Sequence, residues 1–258
     1  MINFDEVNDY KDWPKYKDGE IVSEFAPMDK PKSWRFGPSG LFRLTDDNHE
    51  KLKTGVWQLG SKGLYFKSKV GSKYCITFCA REGNQLVYEN DDDFEFRMVG
   101  SSFVTYGKKS GNFCLNGDPE KFLFQHKLSD SSSFDQFDWF PTRLGIIFSG
   151  TDEYSKTTYD MVKITKPING DPFWSENNAN SVTRLAEGYE AKIWPHPKGF
   201  VNMRDGILYL NDKKPLHRVR FMEDKVLLLH PDGVVVGFEN KFVFYDGSRL
   251  KDFVKEKE

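Results

Sequence analysis

The sequence predicts a mainly β protein, built of antiparallel meanders as an irregular β-propeller or a large β-sandwich, with a few short peripheral helices. Three observations carry that prediction. Beyond residue 54, apolar and polar residues alternate with a period of two, the pattern of a half-buried strand. The strand-like runs recur about every 8–12 residues, with Gly, Asn and Asp between them. Aromatic residues make up 16% of the 258-residue chain, 23 of them Phe, and aromatic side chains suit a pleated, half-buried surface.

Taken in order, Phe4, Val7 and Tyr10 fall at helical spacing, with Asn3 as N-cap and Glu6 completing a capping box; Pro14 ends that helix. Pro27, Pro31, Pro38, Gly37 and Gly40 mark an irregular stretch to Leu41. Residues 1–53 thus read as a helix and lead-in packed on a main β-rich domain of residues 54–258. Strands are expected at 56–59, 64–66, 74–78, 86–88, 94–98, 103–106 and 113–115. Residues 131–141 mix turn formers with aromatics and read as a packed loop. Strands follow at 144–148 and 159–164. Val182, Leu185, Ala186 and Tyr189 fall at i, i+3, i+4 and i+7, which predicts a short amphipathic helix over 181–189. Asp205-Gly206 between 200–204 and 207–210 predicts a tight hairpin. Strands at 217–221, 226–229, 234–238 and 242–245 continue the meander, and 249–257 reads as a closing helix.

Composition sets the function classes aside one by one. The formal charge is −2, from 37 basic and 39 acidic side chains, without the basic excess of a duplex-DNA binder. No apolar run approaches the roughly 20 residues that span a bilayer. The acidic, broken start is no secretory signal. The odd cysteine set Cys75, Cys79 and Cys114 then reads as free thiols in a reducing, cytoplasmic compartment. A Lys-, Asn-, Asp- and Phe-rich composition points to an AT-rich genome, viral or phage genomes among them.

No catalytic constellation emerges. The densest acidic run, Glu89 and Asp91-Asp92-Asp93 with Glu95, lacks the alternate spacing and Gly of a calcium loop and reads as an exposed hairpin tip. His49, His126, His196, His217 and His230 sit in no zinc or nucleophile motif. Glycine-rich dinucleotide and phosphate loops are absent from the sequence. No metal or cofactor is expected. Lys62, Lys67, Lys69 and Lys73 among Tyr65, Phe66 and Tyr74 form a sparse version of the stacking platform used by single-strand nucleic-acid binders.

One short stretch resembles a known family. His230-Pro231-Asp232-Gly233-Val234-Val235-Val236 is similar to the E-G-[VI]-V-[IV] strand of the covalent nucleotidyltransferases, the ligases and capping enzymes, with Lys255 and Lys257 as the late lysines. The resemblance implies a nucleophilic lysine in K-x-[DN]-G. At Tyr16-Lys17-Asp18-Gly19 the lysine position holds Tyr16, and Asp232 stands in place of the family's Glu.

The remaining aromatics cluster in loop-like context: Phe134, Phe137, Trp139, Phe140, Phe173, Trp174 and Trp194, with His196 between prolines. Large aromatic side chains on rigid loops make strong protein contacts. The expectation is therefore a non-enzymatic binding or scaffold protein, acting through those residues on a protein partner or in a homo-oligomer. The alternatives are an enzyme with a loop-assembled carboxylate site, a hydrolase or a degenerate nucleotidyltransferase, and a glycan or single-strand nucleic-acid binder.

Overall fold

The structure is a computed structural model that describes residues 10, 12–24, 34–37, 39–43, 56–80, 82–128, 136–173, 181–189, 191–219, 226–238 and 240–250. The chain divides into two compact units. One comprises residues 1–9 and 50–191, the other residues 10–49 and 192–258. Three short strands come first: β1 (Ile21–Glu24), β2 (Trp34–Gly37) and β3 (Gly40–Arg43). Next come β4 (Trp57–Gly60), β5 (Gly63–Val70), β6 (Lys73–Ala80), β7 (Gly83–Asn90), β8 (Phe94–Val99), β9 (Ser102–Gly107), β10 (Asn112–Leu115) and β11 (Phe122–Gln125). They are followed by β12 (Gln136–Thr142), β13 (Gly145–Thr151), β14 (Thr157–Val162), β15 (Val182–Gly188), β16 (Ile193–His196), β17 (Gly199–Arg204), β18 (Ile207–Leu210) and β19 (Lys214–Arg218). The last three are β20 (Val226–His230), β21 (Gly233–Phe238) and β22 (Lys241–Tyr245).

The mainly β expectation holds, in its propeller-like form. The first unit contains three four-stranded antiparallel meanders, β4–β7, β8–β11 and β12–β15. The second contains the meander β16–β19, the sheet β20-β21-β22-β1 and the hairpin β2-β3. Four-stranded up-and-down sheets are the blades from which β-propellers are made. The last blade is completed by the N-terminal strand, with Ile21 opposite Val243 and Glu24 opposite Lys241. Within the first unit the leading strands of successive blades, β4, β8 and β12, approach one another. In all five sheets the register shifts at the outermost strand pair, a bulge that raises local twist.

Local chemistry accounts for the turns. Asp205 and Gly206 both take positive φ, 51° and 73°, as a two-residue hairpin between right-twisted strands requires. Gly145 opens β13 at φ 150°, and a Cβ there would overlap the Val162 carbonyl. Among the described strands, prolines sit on those with one free edge: Pro141 in β12, Pro195 in β16 and Pro215 in β19, where the missing N–H breaks no ladder.

Four apolar clusters fill the units. In the first unit, Phe113 stacks on Phe124 (4.7 Å) and meets Trp139 (5.1 Å) and Phe148 (5.7 Å) edge-on. Tyr65, Ile76, Phe94, Phe96 and Phe103 form its other core. In the second unit, Trp13, Phe36, Leu228, Val235, Phe242 and Phe244 pack together beside a Val201, Leu208, Leu216, Val234 cluster. Each fully buried Phe contributes about 2–3 kcal/mol of transfer free energy, and each aromatic pair about 1 kcal/mol more.

The structure corrects three expectations. Residues 182–188 are strand β15, not a helix: β15 pairs with β14 through a bulge, Tyr159 facing Ala186 and Asp160 facing Arg184. The extra residue, Leu185, breaks the period of two and imitates helical spacing. Residues 136–142 are strand β12 rather than loop, paired with β13 from Gln136–Thr151 to Thr142–Gly145. The lead-in expected to be irregular holds β1 and the β2-β3 hairpin. The expected helices at 3–10 and 249–257 lie, except for their edges, outside the described residues. Among the described residues the short helical element is a 3₁₀ turn, Pro119–Lys121, capped by the Asp118 carboxylate accepting from Glu120 N–H. No helix among them is long and apolar enough to cross a membrane.

Candidate functional site

One polar constellation lies in the second unit, where two turns repeat the pattern His-Pro-x-Gly. His196-Pro197-Lys198-Gly199 joins β16 to β17, and His230-Pro231-Asp232-Gly233 joins β20 to β21. In each, the histidine Nδ1 accepts a hydrogen bond from the backbone two residues on: from Lys198 N–H at 2.9 Å and from Asp232 N–H at 3.1 Å. This closes the turn much as an Asx side chain would. The other ring nitrogen reaches out. His196 Nε2–H donates to the carbonyls of His230 (2.8 Å) and Gly233 (3.1 Å), and His230 Nε2–H donates to the carbonyl of Pro14 (2.9 Å).

One nitrogen accepting and the other donating defines a neutral imidazole. The surroundings enforce that state. Burial pushes the His196 imidazole down to about 4, against the pull of its two carbonyl partners. His230 is lowered for the same reason, burial outweighing its bond to Pro14. Above them Asp232 bridges Lys15 (2.6 Å) and Lys198 (3.1 Å). Burial works to raise its carboxyl, but the two lysines outweigh it and hold the group below the usual range.

A neighbouring clasp joins the two ends of the second unit. The Asp18 carboxylate accepts from the backbone N–H groups of Asp246 (2.8 Å), Gly247 (3.2 Å) and Arg249 (3.3 Å). Gly19 N–H donates to Phe244 C=O at 2.8 Å. The segments that resemble a nucleotidyltransferase are therefore both occupied in turns and clasps: Asp18 caps backbone amides and Asp232 is neutralised by lysines. Lys255 and Lys257 lie outside the described residues.

The acidic hairpin tip is similarly engaged. Asp93 takes Lys67 and Lys108, Asp92 takes Lys109, and Glu89 takes Lys73. Burial favours a raised Asp93 carboxyl, yet its hydrogen bonds to Lys67 and Lys108 hold it low. Lys67 and Lys69 both lie over the Tyr74 ring, at 5.1 Å each, so the ring of the expected stacking platform already carries cations. His126 and Asp171 form a 2.5 Å pair beside Phe173 and Phe148. Among the described residues no cluster of three or more His, Cys, Asp or Glu could hold a metal ion. Cys75 and Cys114 are buried thiols, and burial together with Asp118 pushes Cys114 up to about 11.

The sequence-predicted contact residues separate by position. Trp139 is buried, its indole N–H donating to Glu95 (3.2 Å) under the Arg97 guanidinium (5.6 Å). His196 is buried in the turn described above. Phe140 and Trp194 are half-buried, Trp194 against the Val201–Leu208 cluster; Phe173 is half-buried against the Phe113 core. Phe137 is placed in β12, with its side chain outside the description, and Phe134 and Trp174 lie outside the described residues. Trp139, Phe140 and Phe173 belong to the first unit, and Trp194 and His196 to the second. What sequence reading missed is the pairing of the two His-Pro-x-Gly turns. Its signal was the repeated tetrapeptide itself, 34 positions apart.

Among the described residues the most exposed aromatics are elsewhere. Tyr154 (71%) and Tyr189 (74%) lie at one end of the β12–β15 sheet, on turns flanking the Thr157–Gly188 pair. An ion network of Lys156, Glu187, Arg184 and Asp160 braces the strands between them. No protein-family model, curated protein or solved structure matches this chain.

Proposed function

We propose that the chain is a non-enzymatic binding or scaffold protein that displays side chains on rigid four-stranded sheets to a protein partner. The observation that carries this reading is the pair Tyr154 and Tyr189, each more than two-thirds exposed on turns whose strands are braced by paired Arg and Lys. Tyrosine gives large contact area at low entropic cost, and Tyr with Arg dominates protein contact energetics. In contrast, His196, His230 and Asp18 of the second unit are consumed in holding turns. Phe134 and Trp174 are proposed as further contacts on sequence alone. Three free thiols support a reducing, cytoplasmic setting.

The test is affinity capture with the wild-type chain and with the double variant Tyr154→Ala/Tyr189→Ala. The expected result is a retained protein whose affinity falls about 30-fold or more in the variant, the scale of a contact hot spot. A chain that captures no protein, or holds it equally well without the tyrosines, overturns the reading.

A further inference from the structure

The five sheets expose five outer strands, and a strand edge is a template for pairing with another chain unless the sequence blunts it. Four of the five are blunted. β11 has a second backbone partner: Ile168 N–H donates to Leu123 C=O (2.8 Å) and Gln125 N–H to Gly170 C=O (3.3 Å). β15 carries Arg184 and Glu187. β19 carries Lys214, Pro215 and Arg218. β1 is only four residues long and carries Glu24.

β7 has none of these devices. Its eight residues, Gly83-Asn84-Gln85-Leu86-Val87-Tyr88-Glu89-Asn90, are exposed at every position but Tyr88. They include no Lys, Arg or Pro. The one charge, Glu89, is neutralised by Lys73 of the same sheet. Leu86 and Val87 are 60% and 46% exposed at its centre. Among the described residues its ladder to β6 is the only backbone pairing it makes. Its bulge at Val87 does not set it apart, since every outer strand carries one.

We infer that β7 pairs antiparallel with β7 of a second copy of this chain, across a two-fold axis between Leu86 and Val87. The charge pattern selects this occupant and orientation. About that axis Leu86 faces Val87, Gln85 faces Tyr88, Asn84 faces Glu89 and Gly83 faces Asn90. The lone carboxylate thus meets an amide, and an apolar centre is flanked by polar residues, as in a specific interface. A parallel pairing would set the two Glu89 carboxylates side by side, which is unfavourable across a sheet. The two-fold makes the contact self-complementary and closed, so it ends at a dimer.

This inference rests on the binding reading above and names one partner for it. The test is sedimentation velocity on the full chain over a concentration series, comparing wild type, Leu86→Lys/Val87→Lys, and Val70→Lys. Val70 is 65% exposed at the end of β5, off the β7 edge. The expected result is a wild type that moves from 30.0 kDa to twice that mass as concentration rises. The double variant stays at the lower mass, and Val70→Lys behaves as wild type. Unchanged far-ultraviolet circular dichroism shows that the variants fold. A wild type that remains monomeric throughout, a dimer untouched by the double substitution, or one lost equally in Val70→Lys overturns the proposal. So does a monomer whose β7 instead takes up an extended strand of another protein. A monomer that still loses its captured partner through Tyr154→Ala/Tyr189→Ala sinks the dimer and leaves the binding reading standing.

Discussion

The two units tie their hairpins together differently. In the first, the turn after β4 reaches the turn after β8 through backbone alone: Ser61 N–H donates to Gly100 C=O at 2.7 Å. Gly60 permits the approach, since a Cβ there would lie 2.9 Å from that same carbonyl and 2.7 Å from Met98 Cε. The turn after β12 closes on itself, Thr142 Oγ1 accepting from Leu144 N–H (3.2 Å) and donating to Gly145 C=O (2.9 Å). In the second unit the same position in the turn is a histidine. It accepts from the residue two on, as Thr142 does, but its longer ring also spans to the next turn. One solution is blind to pH and the other contains a titratable group. A hydrogen bond from a neutral imidazole is a stable tie only while the ring stays neutral.

The sharpest way to break this comparison is His196→Ala. It removes a buried ring, opens a cavity and strips two carbonyls and an amide of their partner, at a cost of about 3–4 kcal/mol. Urea unfolding should show the loss at pH 7, and a cost below about 1 kcal/mol would mean the ring merely fills space.

Next in size is the response to acid. The folded-state His196 titrates near 4 and the unfolded chain near 6.5, so the unfolded state takes up the proton first. The ring's contribution is complete above about 6.5, falls as pH drops and is exhausted once pH passes below about 4. It amounts to roughly 3 kcal/mol. His230 adds to the loss with the same sign, its folded value also being lowered. Amide protection factors should therefore fall between pH 6 and 4 in residues 193–245 before they do so in residues 57–162. In His196→Ala the pH dependence should flatten. Simultaneous loss in both units would remove the distinction drawn here.

Gly60→Ala should cost about 2 kcal/mol, through crowding against Gly100 and Met98, and this penalty should be the same at pH 5 and pH 7. Thr142→Ala should cost about 1 kcal/mol, the scale of one buried hydroxyl tie, again without pH dependence. Smallest is Asp232→Asn. Its lysine partners are largely exposed, so thermal unfolding should register less than about 1 kcal/mol.

Much of this fold was legible in the chain. Strict alternation at Phe94, Phe96 and Met98 placed β8, and Asp205-Gly206 announced its hairpin, because a period of two and a positive-φ pair are local properties. The strands missed were those whose local signal is disturbed. Leu185 is the extra residue of a bulge and turned strand spacing into helix spacing. Pro141 and a run of turn formers hid β12, an edge strand that tolerates proline because its partner lies on one side only. Of the site, the residue types were visible and their roles were not. Trp139 and His196 were expected at a surface and are buried, since nothing local tells which face of a loop the rest of the chain will cover.

The sequence by itself determined the β class, the meander of short strands and most turn positions, all of which follow from interactions within a few residues. Tertiary structure alone decided that Ile21 pairs with Val243, that His196 reaches the turn of His230, and that β11 is covered while β7 is bare. Each of those depends on chain segments far apart in sequence, where hydrogen-bond satisfaction and burial are settled only once the sheets have packed.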